Sequence, residues 1–146
     1  MDNHYYSIVV AVDGSIESEY AFRKALDIVK RNKDSWLSIV HIIDTRAAAV
    51  YDRMVLENAQ KDTEELLNKY KNEAVSAGVE QVKTVVEFGS PRSMITKDLN
   101  LNADLIVCGA HGRNAVERYF IGSVSESIVR SAKCDVLVVR TPESLK

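Results

Sequence analysis

The chain has 146 residues, 46% of them hydrophobic and 27% charged, with a formal net charge of −2. A chain of this length is by default one domain that buries about two-thirds of its unfolded surface, so residues 1–146 read as a single globular domain. Near-neutral charge without a basic stripe gives no electrostatic reason to expect nucleic acid, and no apolar run approaches the length of a membrane span.

The N-terminus, Met1-Asp2-Asn3-His4-Tyr5-Tyr6, carries an acid where a signal peptide needs a positive region, which points to a cytosolic protein. Tyr6 to Val12 is a β-rich run suited to a strand covered on both faces, and Asp13-Gly14-Ser15 stops it. From Glu17 to about Lys30, Tyr20, Ala21, Phe22, Ala25, Leu26 and Val29 recur with helical period. Asp34-Ser35 then introduces a second strand, Trp36 to Ile43. Between Asp44 and Asp52, the stretch Thr45 to Tyr51 has no clear period and reads as a loop that merges into the following helix. A long amphipathic helix follows, Arg53 to Ala77, with Leu56, Ala59, Thr63, Leu66, Leu67, Tyr70, Ala74 and Ala77 on its apolar stripe and Gly78 as its C-terminal cap.

Gln81 to Phe88 is a third strand. Ser90-Pro91 is a helix start with Ser90 as cap and Pro91 at the first helical position; the short helix runs to about Leu101 and buries Met94, Ile95 and Leu99. Leu105 to Gly109 is the fourth strand, Ser123 to about Ala132 the fourth helix and Asp135 to Arg140 the fifth strand, with a frayed tail from Thr141 to Lys146. If the last two strands are parallel, Cys108 and Cys134 lie at opposite ends of them. No disulfide can then join them, and both read as reduced, mostly buried thiols.

Alternating strands and helices imply a parallel sheet with right-handed crossovers and helices on both faces. Ligands bind such a sheet at the strands' C-terminal ends, above all where successive crossovers change direction. Two loops bring chemistry there. One is Asp13-Gly14-Ser15. The other holds Gly109, Gly112 and Gly122-Ser123, where a helix opens with free N–H groups and a positive dipole end and so offers a seat for phosphate. A carboxylate opposite that seat suits a nucleotide, with Asp13 taking a ribose hydroxyl or helping to hold magnesium on the phosphates; Asp13 can equally be a cap or turn residue. The glycines can likewise be read as turns.

No G-x-G-x-x-G or G-x-x-x-x-G-K-[ST] pattern occurs, so neither a dinucleotide fold nor a lysine clamp on the phosphates is indicated. Arg113 and Arg118 are candidates to replace that lysine in part, although loop arginines are most often solvated. His111 is an acid–base candidate that reads better as a spacer contributing backbone. No triad, paired-carboxylate site or metal-ligand cluster is visible.

The spacing Gly109-x2-Gly112-x9-Gly122-Ser123, with the opening Ile8 to Ser15 and the closing Cys134 to Arg140, resembles the universal stress protein family along nearly the whole chain. The resemblance implies a five-stranded parallel sheet of order 3-2-1-4-5 and membership of the ATP-binding branch. It places Asp13 at ribose and metal, the backbone around Val40 and His41 at adenine, and Gly109, Gly112, Gly122, Ser123, Val124 and Ser125 at ribose and phosphates. The nucleotide site so expected also takes in Ala11, Val12, His111 and Arg113. Ala11 stands where several relatives have proline, and the loop from Thr45 to Arg53 is a variable region.

Three functions remain open: an ATP-binding regulatory module with little or no hydrolysis, which is favoured; a slow ATPase or kinase-like enzyme; and a stress adaptor acting through protein contacts, its pocket empty or holding AMP or a cyclic nucleotide. Strand 135–140 would lie at an edge with four consecutive apolar β-formers and no lysine or proline to blunt it. A homodimer through that edge is therefore expected, as the resemblance also implies, the alternative being a tail folded back over it.

Overall fold

The β-branched run that opens the chain forms β1 (Ser7–Ala11), and strand and helix then alternate: α1 (Ile16–Arg31), β2 (Trp36–Asp44), α2 (Arg53–Ser76), β3 (Val82–Gly89), α3 (Pro91–Ser93), β4 (Leu105–Gly109), α4 (Ser123–Ser131) and β5 (Asp135–Val139). The computed structural model describes residues 4–45, 52–93, 95, 102–111 and 122–142. Every strand pair is parallel and the order is β3-β2-β1-β4-β5, as expected.

Side chains alternate across each strand, so the sheet builds two apolar layers. Ile8 and Val10 of β1 join Leu37 and Ile39 of β2 against Phe22 and Leu26 of α1 and Leu67 and Tyr70 of α2. Val9, Val40, Ile106 and Cys108 face the other way, onto Ile128 of α4 and Ile95. The helices thus lie on both faces, and the crossovers change direction between β1 and β4.

Local chemistry sets the helix ends. Ser15 Oγ accepts the Ser18 N–H at 3.1 Å and caps α1, whose buried residues Ser18, Ala21, Phe22, Ala25, Leu26 and Val29 form one stripe. At the end of α2, Gly78 has φ +96. Its N–H donates to Val75 O and the Val79 N–H to Ala74 O, both at 3.0 Å, closing a Schellman motif under buried Val79 and Ala74.

The structure departs from the sequence reading at the end of β2, along the α2 stripe and at Thr141, which is buried where the sequence reads as a frayed tail. β2 runs one residue further, because Asp44 pairs with Gly89 of β3. Asp52 belongs to α2 as its N-cap, its Oδ1 accepting the Met54 N–H at 2.9 Å. Of the expected α2 stripe only Leu67, Tyr70 and Ala74 are buried. The helix has 24 residues and β3 only 8, so α2, about 36 Å long, outruns the roughly 26 Å of the strand beside it, and its first turns stay uncovered. In the third helix, α3 accounts for Pro91–Ser93 and Ile95 is buried as expected, while Met94 and Leu99 lie outside the described residues.

Cys108 stands opposite Val138 in the β4–β5 register and Cys134 precedes β5; both thiols are free, as expected. Among the described residues no helix is long and apolar enough to cross a membrane.

Candidate functional site

The C-terminal ends of β1, β2 and β4 form one rim, and the sequence-nominated residues that the structure describes gather on it. Beyond β1, the Val12 N–H donates to Val40 O at 2.9 Å and prolongs the β1–β2 ladder by one step. Val40 is fully buried, so that residue reaches the rim through its backbone alone. Ala11 closes β1, half-buried, and Val12 is buried in the layer under α1.

Asp13 is held in place by its own turn. Its Oδ1 accepts the Ser15 N–H at 2.9 Å, its N–H donates to Ser18 Oγ at 3.1 Å, and Gly14 supplies the positive φ of 83° that the turn requires. The alternative role of Asp13 as a turn former is thus real, and it fixes a half-buried carboxylate on the rim at the same time.

Across the switch point, Gly109 ends β4 against the first turn of α1. A Cβ at Gly109 would stand 3.1 Å from the Glu17 carbonyl oxygen and 3.2 Å from Glu17 Cβ. The glycine therefore lets α1 pack closely, a packing role that neighbours its expected ligand role. The Gly122 N–H donates to Ala110 O at 2.7 Å, which sets the start of α4 over the end of β4. Gly122 is the N-cap and its oxygen accepts from Glu126 N–H at 2.9 Å. The N–H groups of Ser123, Val124 and Ser125 precede that first helical bond and have no intrahelical partner.

Ser123 is exposed at this mouth and Val124 is half-buried. The Ser125 hydroxyl turns inward and donates to Gly109 O at 2.5 Å, so Ser125 can offer a ligand its N–H but not its hydroxyl. His111, read as a backbone spacer, has a side chain that is only 5% exposed; nothing in its sequence context signals that burial. Gly112, Arg113 and Arg118 lie outside the described residues. Beneath the rim, burial pushes the Cys108 thiol up, against a smaller lowering by its bond with Ser125, which makes it a poor nucleophile.

His41 brings a contact the sequence did not reveal. Its Nδ1 lies 2.6 Å from Val12 O. Among the described residues no group of three or more His, Cys, Asp and Glu is placed to hold a metal alone, so Asp13 can hold a cation only together with oxygens that a ligand brings. A groove of about 690 Å³ opens elsewhere, lined by Tyr5, Ile28, Arg31, Leu105, Asp135 and Leu137. It lies at the N-terminal ends of β4 and β5, the wrong end of a parallel sheet for the switch-point site.

The rim therefore offers acceptors on the β1–β2 side and a cluster of donors at the start of α4. The universal stress protein family matches residues 4–140. A universal stress protein of Staphylococcus aureus (strain USA300) is 55% identical over 144 residues, 95% of this chain and 86% of that protein. Among solved structures, UspA from Lactobacillus plantarum is 26% identical with a TM-score of 0.85, covering 95% of this chain and all of its own. Another universal stress protein, solved in complex with cAMP, is 25% identical with a TM-score of 0.69, covering 94% of this chain and 98% of its own.

Proposed function

The chain belongs to the universal stress protein family, and from that premise we propose that it is a one-domain regulatory module that binds ATP with magnesium at the rim of β1, β2 and β4 and hydrolyses it slowly if at all. The observation that carries this reading is that the Asp13 carboxylate, fixed by its turn after β1, and the N-terminus of α4, tied to the end of β4, stand on the two sides of the switch point. The N–H groups of Ser123, Val124 and Ser125 and the Ser123 hydroxyl suit phosphate oxygens. Asp13 suits a ribose hydroxyl or a magnesium ion that the phosphates hold. The relative solved with cAMP supports an adenine nucleotide as the ligand class.

Backbone and hydroxyl donors without a lysine clamp should give a dissociation constant in the micromolar range, about −8 kcal/mol. Gly122 has φ −61 and ψ 156, a conformation open to any L-residue, so Gly122→Val should fold while its side chain crowds the anion seat. Calorimetry with ATP and magnesium tests the assignment: loss of binding in a well-folded variant is expected, and unchanged affinity refutes it. Turnover at about 1 s⁻¹ or faster, within the range of competent enzymes, would replace the regulatory reading by an enzymatic one.

The reading includes a homodimer. β5 pairs with β4 on one side only and is an edge of the sheet, and a two-fold axis would let the β5 strands of two copies run antiparallel. Light scattering should give twice the 16.3 kDa chain mass, reduced in Val138→Pro; a wild-type monomer at micromolar concentration refutes it.

A further inference from the structure

His41 has a fixed tautomer. The Val12 carbonyl oxygen 2.6 Å from Nδ1 can only accept, so Nδ1 carries the proton, and in the neutral ring Nε2 then presents a lone pair. The residue is half-buried. Nε2 has no partner among the described residues and is not one of the polar atoms sealed from solvent. It is a positioned acceptor waiting for a donor.

Its place on the rim says which donor. β2, β1 and β4 are consecutive in the sheet, spaced by about 4.8 Å each. His41 follows the last β1–β2 pair, Ala11 with Val40; Asp13 follows β1; and the start of α4 is tied to the end of β4 through Ala110 and Gly122. Acceptor, acceptor and donor cluster therefore succeed one another along the rim. A nucleoside phosphate presents base, sugar and phosphate in the same order.

Resting on the nucleotide reading of this site, we infer that His41 is its base-selecting residue, with Nε2 accepting a hydrogen bond from the exocyclic amine of adenine. A base with an oxo group there would set lone pair against lone pair. ATP should accordingly bind about tenfold more tightly than ITP, the cost of leaving one buried acceptor unmatched.

Calorimetry on the full chain with ATP, ITP, 2′-deoxyATP and 3′-deoxyATP, each with magnesium, tests this in the wild type and in His41→Phe. The wild type should prefer ATP to ITP about tenfold, and His41→Phe should weaken ATP by a similar factor and bring the ratio near one. An ATP/ITP ratio that the substitution leaves unchanged overturns the assignment. So does a His41 dependence that tracks a deoxy analogue, which would place the contact on the ribose. Nitrogen-15 NMR of the wild-type imidazole is independent of the variant's folding: an Nδ1–H tautomer whose Nε2 resonance moves with ATP and not with ITP supports the inference, and an Nε2–H tautomer overturns it. Failure of all four nucleotides to bind refutes the nucleotide reading itself, whereas binding with an unchanged ratio refutes only the role of His41.

Discussion

Gly109→Ala separates packing from ligand contact at the centre of the site. The new Cβ would lie 3.1 Å from Glu17 O, 3.2 Å from Glu17 C and 3.2 Å from Glu17 Cβ, all within the first turn of α1. These atoms cannot rotate away, and α1 is anchored by the fully buried Phe22 and Ala25. Forcing one extra methyl into such a contact costs about 1–3 kcal/mol. The reduced freedom of the unfolded chain returns about 0.4–1 kcal/mol, leaving a net loss of about 1–2 kcal/mol. For a chain of this size that lowers Tm by about 3–6 °C. Thermal and urea melts of the ligand-free protein measure it. The same displacement of α1 carries the Ser15 cap and the Asp13 turn with it, so nucleotide affinity should fall as well. An unchanged Tm with lost binding would refute the packing account and leave Gly109 as a residue spared only for the ligand; an unchanged Tm with unchanged binding would refute both roles.

Thr141 is 6% exposed and its Oγ1 has no hydrogen-bond partner among the described residues, so Thr141→Val, of the same shape, should stabilise by about 1 kcal/mol, seen as a higher urea midpoint; a lower midpoint contradicts it. Tyr70 has its hydroxyl pKa raised, chiefly by burial and against a lowering bond with Ser18. The folded state therefore holds this proton more tightly than the unfolded chain. Its contribution is fully present below the unfolded value of about 10 and is lost as pH rises through the folded one. Tyr70→Phe should flatten the alkaline limb of a stability–pH curve above about pH 10, and an unaltered limb would refute the assignment.

Much of this was legible because it is local. The α1 stripe, the Gly78 stop and the Asp13 turn each involve residues within a few positions of one another, and sequence spacing reports such geometry directly; the α1 cap, open to Asp13 in the sequence, falls to Ser15. What escaped depends on tertiary neighbours. The contact of Gly109 with Glu17, the bond of His41 to Val12 O and the inward turn of the Ser125 hydroxyl toward Gly109 O all join separate elements. Periodicity likewise showed which face of α2 is apolar but not how far the sheet extends to cover it: Leu56, Ala59 and Thr63 follow the pattern yet are only partly buried. Burial of His111 gave no sequence signal, because a lone histidine between small residues fits a core position and a loop equally well.

The bond from Gly122 N–H to Ala110 O, at 2.7 Å, makes the intervening chain a closed excursion whose exit and return points coincide. The start of α4 is then placed by this bond and not by the length of chain between its partners. Doubling the number of residues between two such ends costs only about 0.6 kcal/mol of closure entropy. A change at Ala110 or Gly122 that breaks this bond should therefore shift the start of α4.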